Sequence, residues 1–339
     1  MTIPRATLGV AVVGLGAGEH HARALAAHPN CQLRWLYDLD RARACSLAQQ
    51  LGVGEVASSY EAILESPDVH LVSIASYDDC HYAQVLSALK AGKHVFAEKP
   101  LCQSREQLEE IKRAWTAQRG KAKLGCNLVL RAAPLYRWLK EQLDDGRFGK
   151  VYAFDGDYLY GRLEKITNGW RSQTSEYSVM QGGGIHLIDL MLWFTGQRPG
   201  NVFASGNRIA AEGTEFRYDD FVAATMHLPS GTVARITANF GCVHRHQHVL
   251  RLFGTQATFI LDDAGARLHQ TRDPALAGQP VTLPALPATK GDLIPAFVSA
   301  ILEDRDLTSD TQTIFDGISI SAACERSLRT RRPERVKYV

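Results

Sequence analysis

The sequence predicts an α/β protein with two domains. An N-terminal doubly wound parallel sheet is followed by a C-terminal α+β domain with a large, mostly antiparallel open sheet. Through residue 126, short apolar runs alternate with helical patterns, as in right-handed βαβ crossovers. Beyond it, longer strand-like segments follow one another, which favours antiparallel pairing. The 339 residues suffice for two domains, which we place at 1–126 and 127–339.

The first domain is predicted to contain six strands separated by five helices. Apolar runs bounded by turn residues give strands at Val10–Val13, Leu33–Tyr37, Glu55–Ala57, Val69–Ala75, His94–Ala97 and Lys123–Cys126. Helical spacing of apolar residues gives helices at His20–Ala27, Arg41–Leu51, Tyr60–Leu64, Tyr82–Ala91 and Arg105–Gln118. Because a helix follows almost every strand, the sheet is expected to be parallel and covered on both faces.

The second domain begins with a predicted helix at Pro134–Leu143. Strands are predicted at Val151–Tyr160, Val202–Ile209, Phe221–Leu228, Thr232–Phe240 and Val249–Phe253, with a hairpin turn at "LPSGT". The stretch 272–292 contains four prolines and little periodicity, so we expect a surface loop with room for one edge strand. Two helices, Leu293–Glu303 and Thr311–Leu328, complete the domain, and we find no internal repeat.

Charge and cysteine content exclude several classes of protein. The net charge is +2, from 38 basic and 36 acidic residues, so no global field attracts nucleic acid or an anionic membrane. Seven scattered cysteines without a C-x-x-C pair argue against a disulfide framework or a zinc cluster. No run of about 18 apolar residues is present to cross a bilayer, and the N-terminus lacks signal-peptide features. We expect a cytoplasmic protein without nucleic-acid or membrane partners.

A glycine-rich turn separates the first predicted strand from the first helix. The stretch "VAVVGLGAGEHH" places Gly14, Gly16 and Gly18 there, and glycine lets a backbone turn sharply and approach a pyrophosphate at a helix N-terminus. The spacing departs from G-x-G-x-x-G, because Glu19 holds the third-glycine position and Gly18 comes one residue earlier. Asp38 ends the second strand twenty residues after Gly18, where a carboxylate can bind ribose hydroxyls.

This pattern predicts a dinucleotide site. Asp38 would repel a 2′-phosphate, which favours NAD over NADP, although Arg41 and Arg43 follow closely. Ligands of doubly wound sheets bind at the carboxyl ends of the strands, where strands four and five continue into "IASYDDCH" and "VFAEKPL". The proline after Lys99 restricts that lysine to an extended conformation beside the nicotinamide position. The predicted cofactor-binding residues are Gly14, Gly16, Gly18, Glu19, His20, Asp38, Ser76, Tyr77, His81, Glu98 and Lys99.

The stretch "QGGGIHLIDLMLWF", residues 181–194, is apolar almost throughout except at His186 and Asp189. A helix that is hydrophobic nearly all round is normally buried, where an unpartnered polar group costs about 1–3 kcal/mol. Both residues therefore need partners or a ligand. The three glycines permit close approach of a ligand, which favours a functional role for His186, whereas we expect a structural role for Asp189.

In combination, the glycine turn, "AGKHVFAEKPL" and "GGGIHLIDL" resemble the Gfo/Idh/MocA family of NAD(P)-dependent sugar and cyclitol oxidoreductases over nearly the whole chain. "GLGAGEHH" fits the shortened G-x-G-x-G-x-x-H turn associated with that family. The resemblance implies an N-terminal Rossmann domain and a C-terminal open sheet used for oligomer contacts. It also implies that Lys99 is the EKP lysine and His186 the histidine of an Asp-x-x-x-His pattern. Gly182 stands where that pattern has aspartate.

Alcohol oxidation needs a base for the hydroxyl proton and a cation that favours the developing alkoxide. We hypothesise that His186 accepts the proton, Lys99 orients and polarises the hydroxyl, and nicotinamide C4 takes the hydride. If His186 is not the acid/base, Tyr177, Tyr160 or Lys99 itself is the alternative. The predicted substrate-binding residues, whose side chains suit a polyhydroxylated ligand, are Asn127, Arg131, Tyr160, Trp170 and Arg171.

The segment "CVHRHQHVL" places His244, His246 and His248 on one face if it is a strand. No cysteine or carboxylate is in register with them, so we predict a polar strand face at a cleft or subunit contact and no metal site.

The sequence therefore predicts an NAD-dependent oxidoreductase acting on a hydroxyl of a sugar, a sugar derivative such as a nucleotide sugar, or a cyclitol. We expect a homodimer or homotetramer formed through the C-terminal sheet. The alternative is a dinucleotide-binding regulator on the same scaffold without turnover, which the missing aspartate favours and the retained lysine and histidine oppose.

Overall fold

The computed structural model describes residues 7–52 and 54–339. These residues divide into two compact units, of which the first comprises 7–129 with 287–314 and the second 130–286 with 315–339. The chain first passes from one unit to the other after residue 129, three residues beyond the predicted boundary at residue 126. The segment 287–314, which the sequence pattern placed in the second domain, belongs to the first unit, and residues 1–6 of the predicted first domain lie outside the described residues.

The described part of the chain contains fifteen strands and eleven α-helices. The strands are β1 (Leu8–Val13), β2 (Cys31–Tyr37), β3 (Glu55–Val56), β4 (Leu71–Ile74), β5 (His94–Ala97), β6 (Leu124–Cys126), β7 (Val151–Leu159), β8 (Asn201–Asn207), β9 (Phe221–His227), β10 (Val233–Asn239), β11 (Gln247–Gly254), β12 (Thr258–Asp262), β13 (Gly265–His269), β14 (Gln279–Val281) and β15 (Glu334–Arg335). The helices are α1 (Gly18–Ala27), α2 (Arg41–Leu51), α3 (Tyr60–Glu65), α4 (His81–Lys90), α5 (Arg105–Ala117), α6 (Pro134–Asp144), α7 (Glu164–Thr167), α8 (Trp170–Gln173), α9 (Ile185–Thr195), α10 (Ile294–Leu302) and α11 (Thr308–Thr330). A 3₁₀ turn at Val129–Ala132 and a π-helix at Met180–Gly184 complete the regular structure.

The first unit is built on a six-stranded sheet in the order β3-β2-β1-β4-β5-β6, with every pair parallel. Strand β1 is buried along its whole length, because helices cover both faces of a doubly wound sheet. The strand order reverses between β1 and β4, and ligands of such sheets bind at the carboxyl ends of the strands beside that reversal. The predicted parallel sheet is confirmed, and its reversal lies at the glycine turn.

Side-chain caps define where several helices of the first unit begin. Asp40, Ser59 and Ser104 precede α2, α3 and α5, and each accepts a hydrogen bond from a backbone N–H of the first turn. Helix α2 ends at Gly52 in the left-handed conformation that favours glycine. These signals explain why the predicted bounds of α2 match the structure.

The segment 287–314 contributes α10 to the first unit. Its apolar residues Ile294, Phe297, Val298 and Ile301 lie in the same core as β1 and α1. The Phe297 ring packs 5.3 Å from the Phe96 ring on β5. Sequence order alone does not indicate this return, because an apolar helix fits the core of either unit equally well.

The second unit is built on a nine-stranded sheet in the order β14-β13-β12-β11-β7-β10-β9-β8-β15. Every pair is antiparallel except β7 with β10, so the prediction of a mostly antiparallel open sheet is confirmed. The predicted strand in 272–292 is β14, at the sheet edge. Strands β12, β13 and β15 had no counterpart in the sequence prediction, because they are only five, five and two residues long.

One face of this sheet carries the core of the second unit. Ala204, Ala224, Ile236, Gly156 and Leu250 are paired across β8, β9, β10, β7 and β11, and therefore lie on the same face. Helix α9 packs against β7 and β10, which buries its apolar side chains in that core. None of the helices in the described ranges is long and apolar enough to span a membrane.

If α10 contributes to the first core, Phe297→Ala should lower the free energy of unfolding by about 3–5 kcal/mol, since a large buried ring is removed. Leu39, which is 81% exposed in the same unit, provides the control substitution Leu39→Ala. Denaturant unfolding measures both variants. Equal, small losses would contradict the assignment of α10 to a core.

Candidate functional site

The glycine turn lies between β1 and α1 at the reversal of strand order. Gly14 has φ +80°, and a Cβ built on it would lie 2.4 Å from the backbone nitrogen of Ser76, just beyond β4. A Cβ built on Gly18 would lie only 3.1 Å from the Cβ of Ala75. Gly18 thus allows α1 to pack on the sheet, the function that the third glycine has in the usual spacing. The displaced glycine therefore retains its packing role.

The middle of the turn has room for a phosphate. A Cβ built on Gly16 would meet no protein atom within 4 Å among the described residues. Helix α1 begins after Ala17, which supplies no side-chain cap, so its first N–H groups face the turn without the side-chain acceptor that α2, α3 and α5 have. A helix N-terminus of this kind favours an anion. This geometry fits the pyrophosphate of a dinucleotide.

Two other predicted contacts, Glu19 and His20, lie in the first turn of α1. Glu19 accepts hydrogen bonds from Arg23, at 2.8 Å from Nη2, and the His20 side chain is exposed. Glu19 is therefore engaged with its own helix.

Asp38 lies at the carboxyl end of β2 against the glycine turn. Its Oδ2 accepts a hydrogen bond from the Leu15 N–H at 2.6 Å, and its Oδ1 accepts one from the Asp40 N–H at 2.8 Å. The Arg43 Nη1 is 3.6 Å from Oδ2. The carboxylate is therefore fixed beside the turn, as a ribose-binding acid requires, with one arginine close by.

The loop after β4 and the segment after β5 are joined by a buried histidine. His81 Nδ1 lies 2.7 Å from the Pro100 carbonyl oxygen, and its Nε2 lies 3.1 Å from the Ser76 carbonyl oxygen. Ser76 Oγ donates to Gln84, while Tyr77 is half exposed. Both imidazole nitrogens of His81 therefore face backbone carbonyl oxygens of the first unit, which is a supporting position and not the predicted cofactor contact. The peptide bond between Lys99 and Pro100 is cis.

Glu98 is held by buried side chains of the first unit. Its Oε1 accepts a hydrogen bond from Asn127 Nδ2 at 2.9 Å and lies 3.5 Å from His21 Nε2. Burial alone would raise the pKa of Glu98, but the hydrogen bond and charge of His21, the charge of Lys99 and the bond from Asn127 hold that pKa well below its usual value. Glu98 Oε2 accepts the Lys99 backbone N–H at 3.3 Å. An ionised carboxylate therefore lies directly before Lys99.

In the second unit, the glycine-led segment is the π-helix Met180–Gly184 continued by α9. Short π-helical segments are frequent at functional sites. His186, in the first turn of α9, is 8% exposed. Its ring stacks on Tyr158 of β7 at 6.2 Å between centroids and lies edge-on to His248 at 6.1 Å. Sequence reasoning did not connect Tyr158 with His186, although strand alternation places Tyr158 on the buried face of β7.

The three glycines allow close approach of protein side chains. A Cβ on Gly182 would lie 2.4 Å from the Tyr177 hydroxyl, one on Gly183 2.3 Å from the Tyr158 ring, and one on Gly184 2.2 Å from the Met180 sulfur. The expectation that they make room for a ligand is therefore wrong, because the space beside them is filled by the chain itself. The Tyr177 hydroxyl occupies the space beside position 182.

Asp189 has the expected structural role, because it is buried and binds Arg131. The Arg131 guanidinium donates through Nε and Nη2 to both carboxylate oxygens, at 2.6–3.1 Å. A two-pronged charged bond of this kind is among the stronger side-chain interactions. Arg131, which the sequence assigned to substrate, therefore supports α9.

Two other predicted substrate residues of the second unit, Tyr160 and Trp170, belong to one aromatic cluster. We define it as Tyr158, Tyr160, Trp170, Tyr177, His186, Phe240, His246 and His248, which are connected by ring contacts of 4.6–6.4 Å. The Arg171 guanidinium lies 4.5 Å from the Trp170 ring. Asn127, by contrast, is a buried residue of the first unit.

The three histidines before and within β11 do not share one face. His244 precedes the strand, and its Nε2 pairs with Asp263 Oδ2 at 3.0 Å. His246 and His248 pack on Tyr158, at 5.2 and 5.1 Å. Burial, and then the charge of His246, lower the pKa of His248 to about 3, so its imidazole is neutral. The predicted grouping is thus wrong for His244, since β11 begins only at Gln247.

Comparison with known proteins gives two matching family models. Residues 8–125 match "Oxidoreductase family, NAD-binding Rossmann fold", and residues 136–260 match the GFO/IDH/MocA C-terminal domain. The chain is 30% identical to 1,5-anhydro-D-fructose reductase of Ensifer adhaerens over 204 residues, which are 57% of each chain. It is 25% identical to levoglucosan dehydrogenase of Pseudarthrobacter phenanthrenivorans over 296 residues, 75% of this chain and 73% of that one. The match to the former thus spans little more than half its length.

Solved structures share the fold. Levoglucosan dehydrogenase in complex with NADH has a TM-score of 0.84 at 21% identity, covering 98% of this chain and 100% of that one. Myo-inositol 2-dehydrogenase from Lactobacillus plantarum has a TM-score of 0.82 at 21% identity with the same coverage. At this identity the likeness extends to the arrangement of strands and helices.

Because Tyr158 leaves no room for a side chain at position 183, Gly183→Ala should destabilise the protein by about 1–3 kcal/mol, the usual cost of overpacking. Helix propensity alone would favour alanine by about 1 kcal/mol. Gly317 lies in α11, and a Cβ built there would make only ordinary contacts at 3.9 and 4.0 Å, so Gly317→Ala is the matched control. Denaturant unfolding decides the sign, and a stabilised Gly183→Ala variant would refute the contact.

Proposed function

Since the chain belongs to the GFO/IDH/MocA family of oxidoreductases, we propose that it transfers hydride between nicotinamide and a hydroxyl of a sugar, a sugar derivative or a cyclitol, with NAD as cofactor. The glycine turn carries this proposal. Open space at Gly16, a helix N-terminus without a side-chain cap and a fixed Asp38 together suit a dinucleotide. The similar proteins named as reductases and dehydrogenases of sugars and inositol support the substrate class.

The residues of the first unit have separate roles in this proposal. Gly14 and Gly18 shape the turn, Gly16 leaves space for the pyrophosphate, and Asp38 binds the adenosine ribose. When bound, nicotinamide supplies the hydride acceptor or donor. Lys99 orients the substrate hydroxyl and favours its alkoxide character during oxidation.

In the second unit, we assign proton transfer to His186. Its ring is fixed by stacking on Tyr158, which suits a group that must hold one orientation while it accepts and returns a proton. The Tyr177 hydroxyl, packed against Gly182, is the candidate for a second proton carrier. Tyr160, Trp170 and Arg171 are proposed to bind substrate, because aromatic faces and a guanidinium suit a polyhydroxylated ring.

Self-association is proposed through the open face of the nine-stranded sheet. Phe203, Thr225, Arg235, Asp155 and Arg251 are paired across β8, β9, β10, β7 and β11 and form one row on that face. An open face with an exposed phenylalanine suits a second copy of the sheet, and sedimentation equilibrium measures whether dimers or tetramers form. A cytoplasmic location is proposed because all seven cysteines are free.

The proposed activity is tested by screening sugars, cyclitols and nucleotide sugars with NAD for the absorbance of the reduced nicotinamide. Turnover of one of them supports the oxidoreductase. Tight NAD binding without turnover of any substrate would favour the alternative, a dinucleotide-binding regulator.

Asp38→Ala should reduce the preference for NAD over NADP about tenfold, because it removes both a ribose acceptor and a charge that repels the 2′-phosphate. Asp68, exposed in the same unit, provides the control Asp68→Ala. Calorimetric titration of both cofactors gives the ratio of dissociation constants. Equal affinities in the wild type would remove Asp38 from this role.

Lys99→Ala and His186→Ala should each lower kcat by about 10²–10⁴, as for loss of acid–base or electrostatic catalysis. NAD affinity should change little, since Asp38 and the glycine turn remain. Tyr177→Phe tests the hydroxyl separately with the ring retained. If His186→Ala lowers thermal stability but leaves kcat of the folded protein unchanged, His186 is a core residue and the proton carrier is Lys99 or a tyrosine.

A further inference from the structure

We propose that Asn127 and His21 are positioning residues for Lys99 and act through the partly buried carboxylate of Glu98. The inference deepens the proposed function, on which the catalytic meaning of Lys99 depends. It also changes the role of Asn127, which the sequence assigned to substrate.

The orientation of the Asn127 amide is fixed by its neighbours. Its Nδ2 lies 2.9 Å from Glu98 Oε1 and 2.8 Å from the Lys290 carbonyl oxygen. Both are acceptors that carry no hydrogen, so the amide must present its NH₂ group to them. The two amide hydrogens are used in these bonds, and Asn127 is 1% exposed. Asn127 is therefore part of the interior of the first unit.

His21 connects the same carboxylate to helix α1, which follows the glycine turn. It lies in the first turn of α1, four residues after Ala17, and it is fully buried. Its Nδ1 is 2.8 Å from Ser73 Oγ on β4, and its Nε2 is 3.5 Å from Glu98 Oε1 and 3.1 Å from Asn127 Nδ2. The ring packs edge-on to Phe96 at 5.6 Å. The Glu98 carboxylate is thus connected to α1, β4, the loop after β6 and the segment 287–314.

These contacts fix the residue that follows Glu98. One carboxylate oxygen is held by Asn127 and His21, while the other accepts the Lys99 backbone N–H at 3.3 Å. The Pro100 carbonyl oxygen on the other side of Lys99 is 2.7 Å from His81. Buried side chains therefore hold the backbone of Lys99 from both sides, and the ionised Glu98 attracts its ammonium group.

A purely structural network would stabilise the first unit without affecting Lys99. A structural role and a positioning role predict different effects on catalysis. The variants that distinguish them are Asn127→Ala, His21→Ala and Glu98→Gln. If they position Lys99, each should lower kcat about 10–100-fold, as for a misplaced reacting group, with less than a threefold change in the dissociation constant of NAD. His21→Gln, which keeps a side-chain donor near Glu98, should recover part of that loss. Gln32→Ala, an exposed amide on β2, is the control.

A second experiment monitors Lys99 directly and does not require turnover. The lysines are labelled with ¹³C-methyl groups and observed by NMR, and the Lys99 resonance is assigned as the one that is absent in Lys99→Arg. In Asn127→Ala and in the nearly isosteric Glu98→Gln, the Lys99 resonance should move toward those of exposed lysines, while that of Lys121 stays in place. An unchanged Lys99 resonance in folded Glu98→Gln overturns the inference even if Asn127→Ala fails to fold. A shifted resonance in a protein that turns over no sugar or cyclitol keeps the inference and refutes the proposed function.

Discussion

The first unit depends on how closely the backbone of the glycine turn approaches the end of β4. Gly14 lies so near the backbone of Ser76 that no side chain fits, and Gly18 brings α1 onto Val12 and Ala75. This contact places the N-terminus of α1 at the reversal of strand order. It also places His21, one turn into α1, close enough to Ser73 and Glu98 to join them in one buried network. The shape of the glycine turn and the proposed support of Lys99 thus depend on the same close approach.

The second unit uses the same constraint for a different purpose. Gly182 and Gly183 bring the π-helix against the Tyr177 hydroxyl and the Tyr158 ring, at distances that exclude any Cβ. Tyr158 in turn stacks on His186. The glycines therefore set the position of the histidine by packing, and the ion pair of Arg131 with Asp189 holds the same helix one turn further along.

Several elements could be predicted well because their bounds depend on local sequence. The bounds of α2 and β5 match the structure, since caps, turn residues and apolar period all lie within the segment. The sheet edge beyond β11 was less predictable, because the short strands there are stabilised mainly by pairing with a neighbour. The return of α10 to the first unit is a similar case, since apolar character does not say which core a helix joins.

For the site, the sequence by itself determined the chemistry that is present: a glycine turn with a spaced aspartate, a lysine before proline, and a histidine in an apolar helix. Residue types and local spacing carry that information. Only the tertiary structure decided which side chains meet. In the folded chain, His81 faces a backbone carbonyl oxygen and Asn127 donates to a carboxylate oxygen. Arg131 pairs with Asp189. The Tyr177 hydroxyl fills the space beside Gly182. Buried polar groups must find partners, and those partners come from segments distant in sequence.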